Sequence, residues 1–143
     1  MYIGIRYIAK GHRIEMNKRE PSKSDHKPPE TFLPLTPAVF HILLALADGD
    51  AHGYAIMQDV SQRSAGTLRL GPGTLYGAIG RMLEDGWIEE CEERPDPEMD
   101  DARRRYYRLT TLGGGILAAE TKRMSDLVRA ARSSKVIRKM RPA

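Results

Sequence analysis

The side chains of this sequence best suited to chemistry are its arginines. Arg103, Arg104 and Arg105 stand in a row with Arg108 close behind, and guanidinium groups at that density suit bidentate contact with phosphate oxygens or insertion into a narrow minor groove. A second anion-binding signal is Gly71-Pro72-Gly73-Thr74, where proline presets a helix start and the free backbone N–H groups face outward. It lacks the preceding strand and the lysine of a nucleotide-binding loop, so a nucleotide is not its expected ligand. Catalysis is short of parts: there is no Ser-His-Asp or Cys-His set, and the carboxylates gather in a polar segment rather than an apolar pocket, so the chain is not expected to be an enzyme. The one cysteine, Cys91, excludes an internal disulfide and has no Cys or His at ligand spacing. Neither a metal nor a cofactor is expected, and the cysteine usage fits a reducing, cytoplasmic compartment. Flanked by glutamates, Cys91 should have its thiolate disfavoured, which argues against a redox switch.

The charges are unevenly spread. Lys and Arg number 23 against 19 Asp and Glu, a net of +4 on 143 residues. Ten of those acids lie in residues 84–101, where Arg94 is the only base, and the remainder carries 22 bases against nine acids, or +13. A strongly basic body with one acidic segment points to a polyanionic partner. The longest apolar stretch, residues 38–47, is interrupted by His41 and is too short to cross a bilayer, so no membrane association is expected.

These residues need elements to position them. Residues 1–35 read as a flexible tail: residues 1–15 are more apolar but broken by Arg6 and Lys10, and residues 18–34 carry prolines, charges and almost nothing apolar before Phe32 and Leu33. Met16 opens its polar part and is a candidate natural start of translation. Thr36-Pro37 supplies an N-cap and a first-turn proline, and residues 38–47 follow as a central buried helix. A short second helix, about residues 52–62, carries Tyr54, Ile56, Met57 and Val60, with His52 either capping it or facing solvent. Gly71-Pro72 announces a third, in which Leu75, Ile79, Met82 and Leu83 fall at helical spacing and Gly86 marks the stop. Two β-like runs, residues 87–93 and 104–110, flank a polar stretch with Pro95 and Pro97 and read as a hairpin. From about 112 to 133, Leu117, Thr121, Met124, Val128 and Ala131 follow a 4-3-4-3 spacing that makes one seam for a second helix. Nothing else in the chain is left to cover it.

The expected fold is therefore mainly α with a small β-hairpin: a winged helix-turn-helix head at 36–111, a dimerisation helix at 112–133 and a basic tail at 134–143. Local sequence sharpens this. His52-Gly53-Tyr54, Gly73-Thr74-Leu75-Tyr76-Gly77-Ala78-Ile79, Leu83-Glu84-Asp85-Gly86-Trp87-Ile88 and Arg103-Arg104-Arg105-Tyr106-Tyr107-Arg108-Leu109-Thr110 occur in that order, and together they resemble the PadR family of bacterial transcriptional regulators over about residues 36–132. The resemblance implies a homodimeric repressor whose head binds double-stranded operator DNA and whose C-terminal helix dimerises. It leaves any small-molecule effector unspecified. A protein-binding adaptor on the same scaffold, without DNA binding, is the rival reading.

With the inward stripe of the third helix filled by aliphatic residues, its other face shows Thr74, Tyr76, Gly77, Gly80 and Arg81, with Gly73 at its start. Gly77 and Gly80 each cost about 1 kcal/mol relative to alanine, and two compensations are open: close approach to a groove wall or phosphates, or packing against a neighbouring helix. Tyr76 is expected to contact DNA. Tyr54 joins the DNA candidates, although packing of the second helix is the better supported role for it. Arg103, Arg104 and Arg105 are DNA candidates too, in competition with a cross-strand ladder to Glu89, Glu90, Glu92 and Glu93. Trp87 reads as a core anchor between wing and helices.

Overall fold

Thr36 and Pro37 start the first long helix. The Thr36 hydroxyl accepts the Val39 N–H at 3.3 Å and Pro37 takes the first position, where its missing N–H costs nothing, so α1 runs Pro37–Ala47. It buries Ile42, Leu43, Ala45 and Leu46. After Asp48, Gly49 takes φ 144°, backbone that favours glycine, and the chain turns. The computed structural model describes residues 27–92 and 105–140.

His52 caps the second helix, α2 (Gly53–Arg63), by accepting the Ala55 N–H on Nδ1 at 3.1 Å. At the other end Arg63 reaches Asp59 at 2.7 Å and Asp48 at 2.5 Å, fastening the end of α2 to the end of α1. The connection to α3 (Pro72–Glu84) is held by Ser64, whose Oγ accepts the Leu68 N–H at 3.0 Å, and it turns through positive φ at Ala65 and Gly66. Helix α3 buries Leu75, Ala78, Ile79 and Met82.

A three-stranded antiparallel sheet follows, in the order β1-β3-β2, with β1 at Ala51–His52, β2 at Ile88–Cys91 and β3 at Tyr106–Leu109. Ala51 faces Tyr107 and His52 faces Tyr106, while Ile88 faces Leu109 and Cys91 faces Tyr106. The hairpin strands fall within the two expected runs. Strand β1 was not expected, because two residues between two helices carry no alternation to read.

Helix α4 (Thr111–Arg132) is capped by Thr110, whose Oγ1 accepts the Gly113 N–H at 3.1 Å and lies 2.6 Å from the Gly86 carbonyl oxygen. A β-carbon at Gly113 would come within 1.9 Å of the Trp87 carbonyl oxygen, so only glycine lets α4 pass this close to the wing. The core is shared: Ile42, Leu43 and Leu46 of α1, Ile56 and Val60 of α2, Leu75, Ile79 and Met82 of α3, Ile88 and Tyr107 of the sheet, and Ile116 of α4.

Both ends depart from expectation. The flexible tail was expected to reach residue 35, yet a 3-10 turn at Pro29–Phe32 lies on α4 and Phe32, Leu33 and Leu35 pack against the core. Three apolar side chains in the last four residues of that stretch offset the ordering entropy that its polar part cannot. The basic tail expected from residue 134 contains a short helix, α5 (Lys135–Met140), whose Val136, Ile137 and Met140 are exposed. Met16, the hairpin tip, Arg103 and Arg104 lie outside the described residues.

Candidate nucleic-acid interface

Helix α3 turns one complete face outward. Gly73, Thr74, Tyr76, Gly77, Gly80 and Arg81 are all exposed, between the buried positions Leu75, Ala78, Ile79 and Met82. Its N-cap, Gly71, makes no side-chain hydrogen bond to the first turn, which leaves N–H groups there for water or an anion. The two explanations open for the helix glycines are now separated. A β-carbon at Gly80 would meet nothing within 4 Å, and one at Gly77 would meet only Arg81 Nη1, at 3.7 Å. Among the described residues, packing against a neighbouring helix therefore explains neither glycine.

Tyr76 is 51% exposed, and the inner side of its ring rests over Gly53, the first residue of α2. A β-carbon at Gly53 would come within 2.5 Å of the Tyr76 hydroxyl oxygen and 2.8 Å of Cζ. Gly53 is thus the seat that holds Tyr76 at the junction of α2 and α3. Its only signal in the sequence is a glycine at a helix start between His52 and Tyr54. Tyr54 does not pack the second helix as expected. It is 54% exposed and stacks on His52, with ring centroids 6.5 Å apart and 12° between planes. Ile56 and Val60 take the buried face, which leaves Tyr54 on the outer one. The exposed aromatic pair Tyr54 and Tyr76 therefore stands beside the open glycine face of α3.

In the wing, Arg105 is the described member of the arginine row. Its side chain is 72% exposed with Nε 3.8 Å from Glu90 Oε1, and Arg108 Nε lies 3.9 Å from Glu89 Oε1. Two cross-strand pairs of this kind form among the described residues, at the long limit for an ion pair. Exposed pairs of this kind contribute about 0–1 kcal/mol, so the guanidinium of Arg105 is only loosely held. Cys91 is buried, with Sγ 3.5 Å from Asp50 Oδ2. Burial pushes its thiol up and Asp50 adds to this, while Arg108 partly offsets them. The flanking glutamates expected to do so are not the cause. Trp87 packs against the core from the wing side and meets Phe32 edge-on at 5.4 Å.

The seam on α4 divides. Leu117 is 9% exposed and belongs to the chain's own core, Met124 is half-buried, and Thr121, Val128 and Ala131 are exposed. Thr121 Oγ1 donates to the Leu117 carbonyl at 2.8 Å. Beside this seam a shallow groove is floored by Gly114, Ala118, Thr121 and Ser125 and edged by the Lys122–Asp126–Arg129 ion pairs. Sequence reasoning missed Glu120, which is 1% exposed on the side of α4 that also carries the buried Gly113 and Ile116. Among the described residues no group of His, Cys, Asp and Glu could hold a metal ion, and no helix is long and apolar enough to cross a membrane.

Comparison with known proteins agrees with this architecture. A protein of 37.1 kDa encoded in a transposon of Streptomyces fradiae, itself uncharacterized, is 40% identical over 86 residues, 60% of this chain and 22% of its own length. A transcriptional regulator of Mycobacterium tuberculosis is 34% identical over 89 residues, 62% of this chain and 77% of its own. This chain thus spans about a fifth of the first relative and about three quarters of the second. Among solved structures, a PadR family transcription regulator from Clostridium difficile superposes with a TM-score of 0.53 at 26% identity, covering 68% of this chain and 95% of that one. A transcriptional regulator from Clostridium thermocellum shares the fold with a TM-score of 0.56 at 22% identity, over 68% of this chain and 89% of that one. The model of the transcriptional regulator PadR-like family matches residues 42–119, more than half of the sequence and all of the core elements from within α1 to the buried part of α4, and the chain belongs to that family.

Proposed function

We propose that this regulator acts as a homodimer that binds double-stranded operator DNA in a sequence-specific manner and represses transcription. Helix α3 enters the major groove, with Thr74, Tyr76 and Arg81 facing the duplex and Gly73, Gly77 and Gly80 allowing its backbone to approach closely. The observation that carries this reading is the open space over Gly77 and Gly80: two glycines inside a helix that nothing among the described residues explains, on the same face as Tyr76 and Arg81. Tyr54 extends the contact surface from α2. The wing adds Arg103, Arg104 and Arg105 at the phosphates or the minor groove. Dimerisation uses the exposed side of α4, along Thr121, Met124, Val128 and Ala131, with Leu117 at its inner end.

The test is an anisotropy titration against the promoter region of the protein's own gene, followed by footprinting. A dimer of this design protects two half-sites about 34 Å apart and loses affinity steeply as salt rises. Replacing Arg81 by alanine reduces the salt slope by about 1. Binding that is absent or independent of salt refutes the proposal and favours an adaptor that binds protein.

A further inference from the structure

Residues 28–35 touch the root of α4 at two points and the start of the wing at a third. Pro29 lies against Gly115, where a β-carbon would come within 3.2 Å of its Cγ. Phe32 meets Trp87, at the start of the wing, with ring centroids 5.4 Å apart. Leu35 donates its N–H to Glu120 Oε2 at 2.5 Å, and the other carboxylate oxygen accepts from Arg123 Nε. The DNA-facing surface makes no use of this carboxylate. A carboxylate is costly to bury unless it is paired, and both oxygens of Glu120 are engaged, one by its own helix and one by the N-terminal segment.

The position of this lock is informative. Helix α4 is buried in the head through Gly113, Ile116, Leu117 and Glu120, and is exposed from residue 125 to 132. Glu120 therefore marks the place where α4 leaves the head. We propose that residues 28–35 form a strap that sets the angle between α4 and the head, by way of Glu120 and the Phe32–Trp87 contact, and thereby the separation of the two heads in the dimer. The second half of this inference rests on the DNA-binding dimer proposed above.

Lever arithmetic shows why the angle matters. From Glu120 to Arg132 the helix extends about 18 Å at about 1.5 Å per residue, so a swing of about 10° moves its end by about 3 Å. That is about one base pair, since successive pairs are about 3.4 Å apart. Two protomers double the error, and two half-sites cannot then be met together.

The test uses the full chain with Cys91→Ser and spin labels at Gln62→Cys on α2 and Ala130→Cys on α4, diluted with unlabelled protein so that only the distance within one chain is read. A single narrow distance is expected. Phe32→Ala and Glu120→Gln each broaden it about twofold, leave affinity for a single half-site unchanged, and reduce about tenfold the preference for correctly spaced half-sites over sites moved by two base pairs. Circular dichroism establishes that each variant is folded, and Phe32→Ala, at a partly buried position, carries the test if Glu120→Gln unfolds. An unchanged distance in folded variants overturns the strap. Broadening with an unaltered spacing preference overturns its control of head separation. If the unsubstituted chain binds no DNA, the DNA-binding reading fails, and the spin-label distance still decides whether the strap fixes the angle.

Discussion

Replacing Gly77 and Gly80 together by alanine sets stability against function. Neither glycine has positive φ, so alanine fits the backbone at both. The new methyl at position 80 meets nothing within 4 Å, and that at 77 makes an ordinary contact, 3.7 Å from Arg81 Nη1. With no steric cost, each substitution gains the helix-propensity difference, about 0.8–1 kcal/mol in an exposed helix interior. The pair is worth about 2 kcal/mol, which at about 4 °C per kcal/mol for a domain of this size raises Tm by about 8 °C. In the proposed complex the same two methyls would stand where α3 meets the groove wall, and operator affinity should fall at least about tenfold, or about 1.4 kcal/mol. Thermal denaturation followed by circular dichroism reads the first quantity and fluorescence anisotropy with labelled operator reads the second. A stabilised variant with undiminished operator affinity refutes the groove-facing assignment of these glycines. A destabilised one refutes the open geometry on which the argument stands.

Glu89→Gln with Glu90→Gln releases Arg108 and Arg105 from their long ion pairs, and DNA affinity should rise by about two- to fivefold, in keeping with the 0–1 kcal/mol range of such pairs; a salt titration showing unchanged affinity and slope would mean that these arginines do not face the duplex. His52→Ala removes the cap of α2 and should cost about 1 kcal/mol in urea unfolding, with His52→Asn retaining most of it; equal stability of His52→Ala and the original chain would dismiss the cap. The Glu120 carboxyl is held below the usual carboxylate range chiefly by Arg123, with the Leu35 N–H adding and burial opposing. Because its folded value is depressed, its contribution is complete above the unfolded-chain value of about 4.3 and is lost as pH falls through the lowered folded value. Urea midpoints should therefore drop more between pH 7 and pH 3 for the original chain than for Glu120→Gln, and parallel curves would contradict the lock.

Local signals and helical periodicity were legible in the sequence. Thr36-Pro37, Gly71-Pro72 and the stop at Gly86 placed α1 and α3 to within a residue or two, because caps and prolines act locally. The outward face of α3 followed from its inward stripe by subtraction. What escaped was whatever depends on contacts between distant residues. Nothing local marks Glu120 as buried, since its partner Leu35 is 85 positions away. Gly53 reads as an ordinary helix start until Tyr76 is found resting on it. For Tyr54, a DNA candidate, packing of the second helix was the better supported role, yet its neighbours Ile56 and Val60 take the inner face. Residues 28–35 were misjudged because the composition of the polar stretch before them outweighed three apolar side chains at its end.

His52 belongs to two elements at once: it is the last residue of β1, opposite Tyr106, and the cap of α2. Tyr106 in turn pairs with Cys91 on its other side. A load applied to the wing reaches the first turn of α2 through two residues, with no loop between them to give way, and Gly53 passes it on to Tyr76. On the DNA-binding reading proposed above, the wing and α3 would grip the duplex as two jaws linked through these residues. On that reading a duplex of unsuitable groove width would lose both contacts together, and sequences that the side chains never touch would still be sorted by how readily the duplex takes the required shape.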